Sequence, residues 1–248
     1  MDRRRAQGLI IVGGASAVLF LGAGVAVAVV RTRRASRLTE ILAQIRRTPR
    51  TKVGPKTELV AGYVDASPVD LAKQAQVDLE EYSLARMVTS EEGDSDAVYQ
   101  LAVAEAIRNR ARARRVTITV LLTHSSMQPD SGHYGVQSHG RLAASGSDPT
   151  QQSLAAARAA LRLNTNLARG ATAFDSPKIH YQGHQGSAKL KPFSEILESW
   201  TAQDKLAWVG PIDGIDPYHL ALFRKSILRP DNSQLLSVVE DRRRQVAA

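Results

Sequence analysis

The segment from Gly8 to Val30 holds no charged residue, while Arg3, Arg4 and Arg5 precede it and Arg31, Arg33 and Arg34 follow it. As a helix rising about 1.5 Å per residue, these roughly 23 residues reach about 34 Å, enough to cross the hydrocarbon core of a bilayer. The stretch exceeds the apolar core of a cleavable signal peptide, and no clean small-residue cleavage site precedes the arginines. The expectation is therefore an uncleaved, single-pass anchor that puts the chain in contact with a lipid bilayer. Small residues four apart, Gly13/Ala17 and Gly24/Ala28, leave helix pairing and a homo-oligomer open. Positive residues prefer the cytoplasm, and more of them lie after the span than before it, so charge alone favours a cytoplasmic position for the chain beyond Val30.

The expected organisation is a basic N-terminus over 1–7, a transmembrane helix over 8–30 and a basic juxtamembrane segment with linker over 31–66. A folded domain over 67–230 and a C-terminal helix or tail over 231–248 complete it. Aromatic residues make up 5% of the chain while Ala, Leu, Val and Arg abound, a balance that suits packed helices, so the fold class expected is mainly α. The absence of cysteine removes disulfides, thiolate nucleophiles and cysteine metal sites. A net charge of +9 and a pI near 10.1 predict attraction to polyanions: nucleic acid, anionic headgroups or acidic wall polymers. The arginine runs lack the interleaved aromatics of a base-stacking platform, and no nucleic-acid partner is expected.

Ser67-Pro68-Val69-Asp70 joins an N-cap serine, a proline at the first helical position and an acid three residues after the cap, and it predicts a helix to about Glu91 that stops at Gly93. Asp94-Ser95-Asp96 supplies a fresh cap, and Val98, Leu101, Ala102, Ala106 and Ile107 form the stripe of a second helix reaching about Arg114. Val116 to Thr123 reads equally as a strand or as a short helix capped by Thr117. Ser125 to Ser147 is too polar for an element and reads as a long loop. Asp148-Pro149 opens a third helix ending near Asn164, and shorter helices are expected near Phe193 to Trp200, Pro217 to Ser226 and Ser233 to Arg243.

Ser90-Glu91-Glu92-Gly93 is the junction where chemistry could sit. A carboxylate on the last turn of a helix faces the negative end of the macrodipole, which disfavours its ionised form. With apolar neighbours such a glutamate serves as a general acid toward a glycosidic oxygen; without them Glu91 and Glu92 are an ordinary exposed pair.

The run Leu84-Ala85-Arg86-Met87-Val88-Thr89-Ser90-Glu91-Glu92-Gly93, continuing to Gln100-Leu101-Ala102-Val103-Ala104 and Ile107-Arg108-Asn109-Arg110, resembles the cell wall hydrolase family typified by spore-cortex-lytic enzymes. The family's catalytic glutamate falls on Glu91. The second acid usual in its Glu-Ala-Arg-Gly-Glu turn falls on Ser95, and Glu92-Gly93-Asp94 replaces Ala-Arg-Gly. Tyr134-Gly135-Val136-Gln137, Gly140 to Ser145, Asp148-Pro149-Thr150 and Gly170 to Pro177 are similar to wall-degrading, lysozyme-like domains of phages and prophages. The resemblance spans roughly Leu71 to Arg224.

It implies a lysozyme-like helical domain behind the membrane helix, acting on peptidoglycan glycan strands at the β-1,4 bond between N-acetylmuramic acid and N-acetylglucosamine. It implies no cofactor. With no second acid clearly placed, a lytic transglycosylase is the expectation, although Asp94, Asp96 and Asp148 are each within sequence reach of Glu91 and a hydrolytic lysozyme stays open. Tyr134, Gln137, Arg141 and Ser145 offer hydrogen bonds for acetamido and lactyl groups and are the expected substrate-binding residues. Asn109 and Arg110 read as packing and capping residues.

Two other classes compete. His180-Tyr181-Gln182-Gly183-His184 has the spacing of two zinc ligands on one helix face, as in a cell-wall zinc peptidase, but Pro177, Gly183 and Gly186 argue against a helix there. A non-catalytic, lysozyme-like glycan binder within a virion or envelope complex is the third class, and Glu91 separates it from the enzyme.

Overall fold

A computed structural model describes residues 35–57, 59–60, 63–64, 66–123, 148–163, 165–179, 191–204 and 206–225. The expected transmembrane helix over 8–30 and the C-terminal helix near Ser233 to Arg243 lie outside these residues. Among the described residues no helix is long and apolar enough to cross a membrane. The chain divides into two compact units, Met1–Ile41 and Leu42–Ala248, and the candidate site belongs to the second.

The fold is mainly helical, as composition predicts. Residues 35–47 form α1. A two-residue hairpin, β1 (Leu59–Val60) and β2 (Tyr63–Val64), precedes α2 (Pro68–Gln74), α3 (Leu79–Glu92), α4 (Ala97–Arg114), α5 (Ile118–Thr123) and α6 (Gln151–Arg162). Then come β3 (Ala173–Asp175), the short α7 (Pro177–Ile179), α8 (Phe193–Asp204), β4 (Leu206–Trp208) and β5 (Ala221–Lys225).

The single helix expected from Ser67 to Glu91 is two. Ser67 caps α2 through its hydroxyl, which accepts from Asp70 N at 3.1 Å. Gln76 then turns left-handed at φ 54°, and Asp78 restarts the chain as α3 by accepting from the amides of Glu80 and Glu81 at 3.0 and 3.2 Å. A cap inside an unbroken apolar pattern decides the boundary, which periodicity does not register.

α3, α4 and α6 pack on one another. Residues 81–88 of α3 are all buried, as are residues 100–108 of α4, where Ala102, Ala104 and Ala106 are fully enclosed. Apolar or paired side chains all round mark both as core helices, and the alanines allow close helix approach. Thr150 and Ser153 form a capping box for α6, so the cap falls two residues after Asp148.

The segment Val116 to Thr123, open between strand and helix, is helical over α5. Thr117 Oγ1 accepts from Val120 N at 3.2 Å, and the Glu80 carboxylate of α3 accepts from Ile118 N at 2.5 Å and Thr119 N at 3.2 Å. Those otherwise unsatisfied first-turn amides find their partner 38 residues away in sequence.

The helix expected over Pro217 to Ser226 is corrected. Residues 221–225 form β5, the central strand of an antiparallel sheet ordered β3-β5-β4, with Phe223 opposite both Ala173 and Trp208. α8 covers one side, and Ile196, Trp200, Ala173, Ala221 and Phe223 make a buried cluster in which the Trp200 and Phe223 rings meet edge to face at 5.4 Å. The strand's partners are remote in sequence, so local propensity misreads it.

Residues 51–57, expected as linker, are docked on the domain. Val53 N donates to the Pro149 carbonyl at 2.7 Å and Gln151 N to the Thr51 carbonyl at 2.8 Å.

Candidate active site

Glu91 stands on the last turn of α3, at the mouth of a cleft of about 630 Å³. The cleft is walled by the turn after α3, the approach to α6 at Asp148 and Thr150, the end of β3 at Phe174–Ser176, and His219 and Leu220 ahead of β5, with Arg50 and Lys52 at its edge.

Sequence builds this helix end tightly. Gly93 N donates to the Thr89 carbonyl at 3.0 Å, and a Cβ on Gly93 would stand 2.4 Å from that oxygen, so only glycine admits the closure. The carbonyls that follow α3 are then gathered by two side chains. Arg50 donates through Nη1 to Asp94 O at 3.0 Å and through Nη2 to Ser95 O at 2.9 Å, while its Nε donates to Gln152 Oε1 at 2.8 Å. Gln100 Nε2 donates to Gly93 O, Ser95 O and Gln152 Oε1 at 3.3, 3.2 and 3.1 Å. A guanidinium against the carbonyl end of a helix is electrostatically favoured as well as hydrogen-bonded.

Several carboxylates in and near the cleft have side-chain partners. Asp148 accepts from Thr57 Oγ1 at 2.5 Å and from Arg86 Nη1 at 3.1 Å, with Lys52 Nζ at 3.6 Å. Burial alone would raise its pKa, but the bonds from Thr57 and Arg86 outweigh that and hold it below the ordinary carboxylate range. Asp96, 46% exposed, is clasped by Arg46, whose hydrogen bond lowers its pKa. Buried Glu92 lies 3.0 Å from His219 Nε2. Of the acids that sequence placed within reach of Glu91, Asp148 and Asp94 line the cleft; Asp96 does not.

No hydrogen bond or ion pair reaches the Glu91 carboxyl from a described residue. Glu91 is exposed by surface area and lines the cleft, with protein packed around it. The crowding decides its ionisation: its pKa is pushed up to about 7, first by desolvation, then by the charges of Glu92 and Asp175. The direction is the one expected from sequence, with burial and like charge as its causes.

Asp175 and His219 are the cleft residues that sequence reasoning did not single out. Asp175 sits between buried Phe174 and buried Pro177 at the end of β3, and this lone acid among apolar residues was the available signal. His219 carried none, because its segment reads as helix.

Ser95 Oγ lies 3.4 Å from His219 Nε2, and with Glu92 these residues bring together the groups of a nucleophilic triad. Both contacts are to the same ring nitrogen, whereas a triad uses one nitrogen for the nucleophile and the other for the orienting acid. The arrangement is a structural tie.

Tyr134, Gln137, Arg141 and Ser145 lie outside the described residues, as do His180 and His184. Among the described residues no group of three His, Asp or Glu side chains is placed to hold a metal ion. Asn109 Nδ2 donates to Ala171 O at 3.0 Å, and Asn109 Oδ1 accepts from Arg108, whose Nη1 and Nη2 reach Ala160 O and Thr165 O at 2.6 and 3.1 Å. These bonds fix the connection that leads into β3. Arg110 is buried.

No family model, curated protein or solved structure matches the chain. The case for function therefore rests on the cleft.

Proposed function

We propose that this protein is a membrane-anchored, lysozyme-like enzyme of a bacterial envelope or phage particle that cuts peptidoglycan glycan strands as a lytic transglycosylase. Glu91 is its general acid and base. The observation that carries this reading is a glutamate with a pKa of about 7 that lines an open cleft, has no hydrogen-bond or ion-pair partner among the described residues, and stands on a helix end whose following carbonyls are tied down by Arg50. A general acid works best when its pKa lies near the working pH, since it must both hold the proton and release it.

Glu91 gives its proton to the oxygen of the β-1,4 link between N-acetylmuramic acid and N-acetylglucosamine, and the bond from that oxygen to C1 breaks with its electron pair leaving on the oxygen. The ionised Glu91 then removes the proton of the muramic acid 6-hydroxyl, whose oxygen bonds to C1 and closes a 1,6-anhydro ring. No metal or cofactor enters this sequence.

Release of soluble fragments from purified peptidoglycan by the full chain tests the proposal. Glu91→Gln keeps shape and removes the proton, and a loss on the order of 10²- to 10⁴-fold is expected. Equal release by the two proteins would refute it.

A further inference from the structure

We propose that Asp175 is the second carboxylate of this site, facing the sugar's reacting carbon while Glu91 handles the proton. The inference rests on the glycosidase reading and extends it to a residue outside the helix-end motif.

Pairing separates the carboxylates. Asp148 is held by Thr57 and Arg86, and Glu92 by His219. Asp175 accepts at Oδ1 from Ser176 N at 2.7 Å, and no cation pairs with it among the described residues. A carboxylate that lines a cleft without a paired cation is placed to stabilise a positively charged reacting centre there. Asp94, which also has no cation partner among the described residues, is exposed and follows Glu91 on the same turn, so it moves with Glu91. Asp175 comes from a separate element.

That element is rigid. All three residues of β3 pair with β5, with Asp175 opposite Ala221, and Phe174 is buried between its neighbours. Asn109 holds the Ala171 carbonyl just upstream, while Arg50 and Gln100 hold the turn beside Glu91. Two carboxyl groups on independently fixed supports are what a site needs when one must donate a proton and the other keep its charge.

As the glycosidic bond breaks, positive charge grows on C1 and the ring oxygen, and a fixed anion in a partly desolvated cleft stabilises it. After desolvation and the charge of Glu92, the charge of Asp175 adds to the rise of the Glu91 pKa and favours the protonated form that the donating step needs. The other charged groups around the cleft are Arg50, Lys52, Glu92, Asp94, Asp148 and His219.

Asp175→Asn in the full chain tests the role, because the amide keeps an Oδ1 acceptor for Ser176 N and loses only the charge. Fragment release from purified peptidoglycan is followed against pH and substrate concentration, and the Glu91 carboxyl is titrated by carbon NMR. We expect kcat to fall on the order of 10²-fold with KM nearly unchanged. The high-pH limb, near pH 7 in the parent, should move to lower pH together with the NMR titration of Glu91. Asp175→Glu should restore part of the rate. A variant with the parent's kcat and an unmoved Glu91 titration overturns the role of Asp175 alone, as does a rate loss that only tracks a lower melting temperature. Peptidoglycan left whole by the parent, or cut equally by Glu91→Gln, overturns the glycosidase reading and this inference with it.

Discussion

Glu92 and Glu91 are adjacent in sequence and opposite in circumstance: Glu92 is buried and tied to His219 Nε2 at 3.0 Å, while Glu91 opens on the cleft with no described partner. The tie anchors the helix end that carries the acid. The Tyr99 ring meets the His219 ring edge to face at 4.7 Å, and Tyr99 Oη accepts from Asp216 N at 2.9 Å, so the segment ahead of β5 is braced against α4. His219→Ala should leave a buried Glu92 oxygen without its partner and lower stability by about 1–3 kcal/mol, read from urea unfolding. In a Glu92→Gln background the same change should cost clearly less, and equal costs in the two backgrounds would show that the pair is not coupled.

Asp148 and Arg86 form the buried charge pair under the cleft, with Arg86 only 2% exposed. Asp148→Asn removes the charge that the buried guanidinium of Arg86 faces at 3.1 Å, and a loss of about 3 kcal/mol is expected in denaturant unfolding. Because the folded-state pKa of Asp148 lies below its ordinary value, its contribution is fully present above that ordinary value and disappears as pH falls through the lowered one. The deficit of the variant should therefore shrink in strong acid; a deficit independent of pH would exclude this cause.

Glu91 has the opposite sign. Its pKa is raised from 4.5 to about 7, so the folded state binds a proton that the unfolded state has released, and stability is lost as pH rises through that window. Glu91→Gln should match the parent's melting temperature near pH 4 and exceed it at pH 8. Such a gain on removal of a functional group is the usual sign of a site held at the expense of stability. Melting temperatures that differ equally at both pH values would contradict the raised pKa.

Local signals carried the helical half of the molecule. The Ser67-Pro68 start, the Asp96 cap and the stop at Gly93 are set by side-chain–backbone contacts within a few residues, and they are where sequence puts them. What escaped depends on distant partners. β5 is a strand because β3 and β4 flank it, α5 begins where Glu80 supplies acceptors, and Arg50 is a clamp because folding brings it to the end of α3. In the cleft the same division holds: the place of Glu91 at a helix end was legible, while Asp175 in β3 and His219 just ahead of β5 reach the cleft through sheet pairing between distant segments.

Mass spectrometry of the fragments released from purified peptidoglycan by the full chain and by Glu91→Gln bears most directly on the role assigned to Glu91. Muropeptides ending in 1,6-anhydro-N-acetylmuramic acid, from the parent and not from the variant, are the predicted result. Fragments in equal yield from both proteins, or glycan strands that stay uncut, would contradict it, and ordinary reducing ends dependent on Glu91 would replace the transglycosylase by a hydrolase.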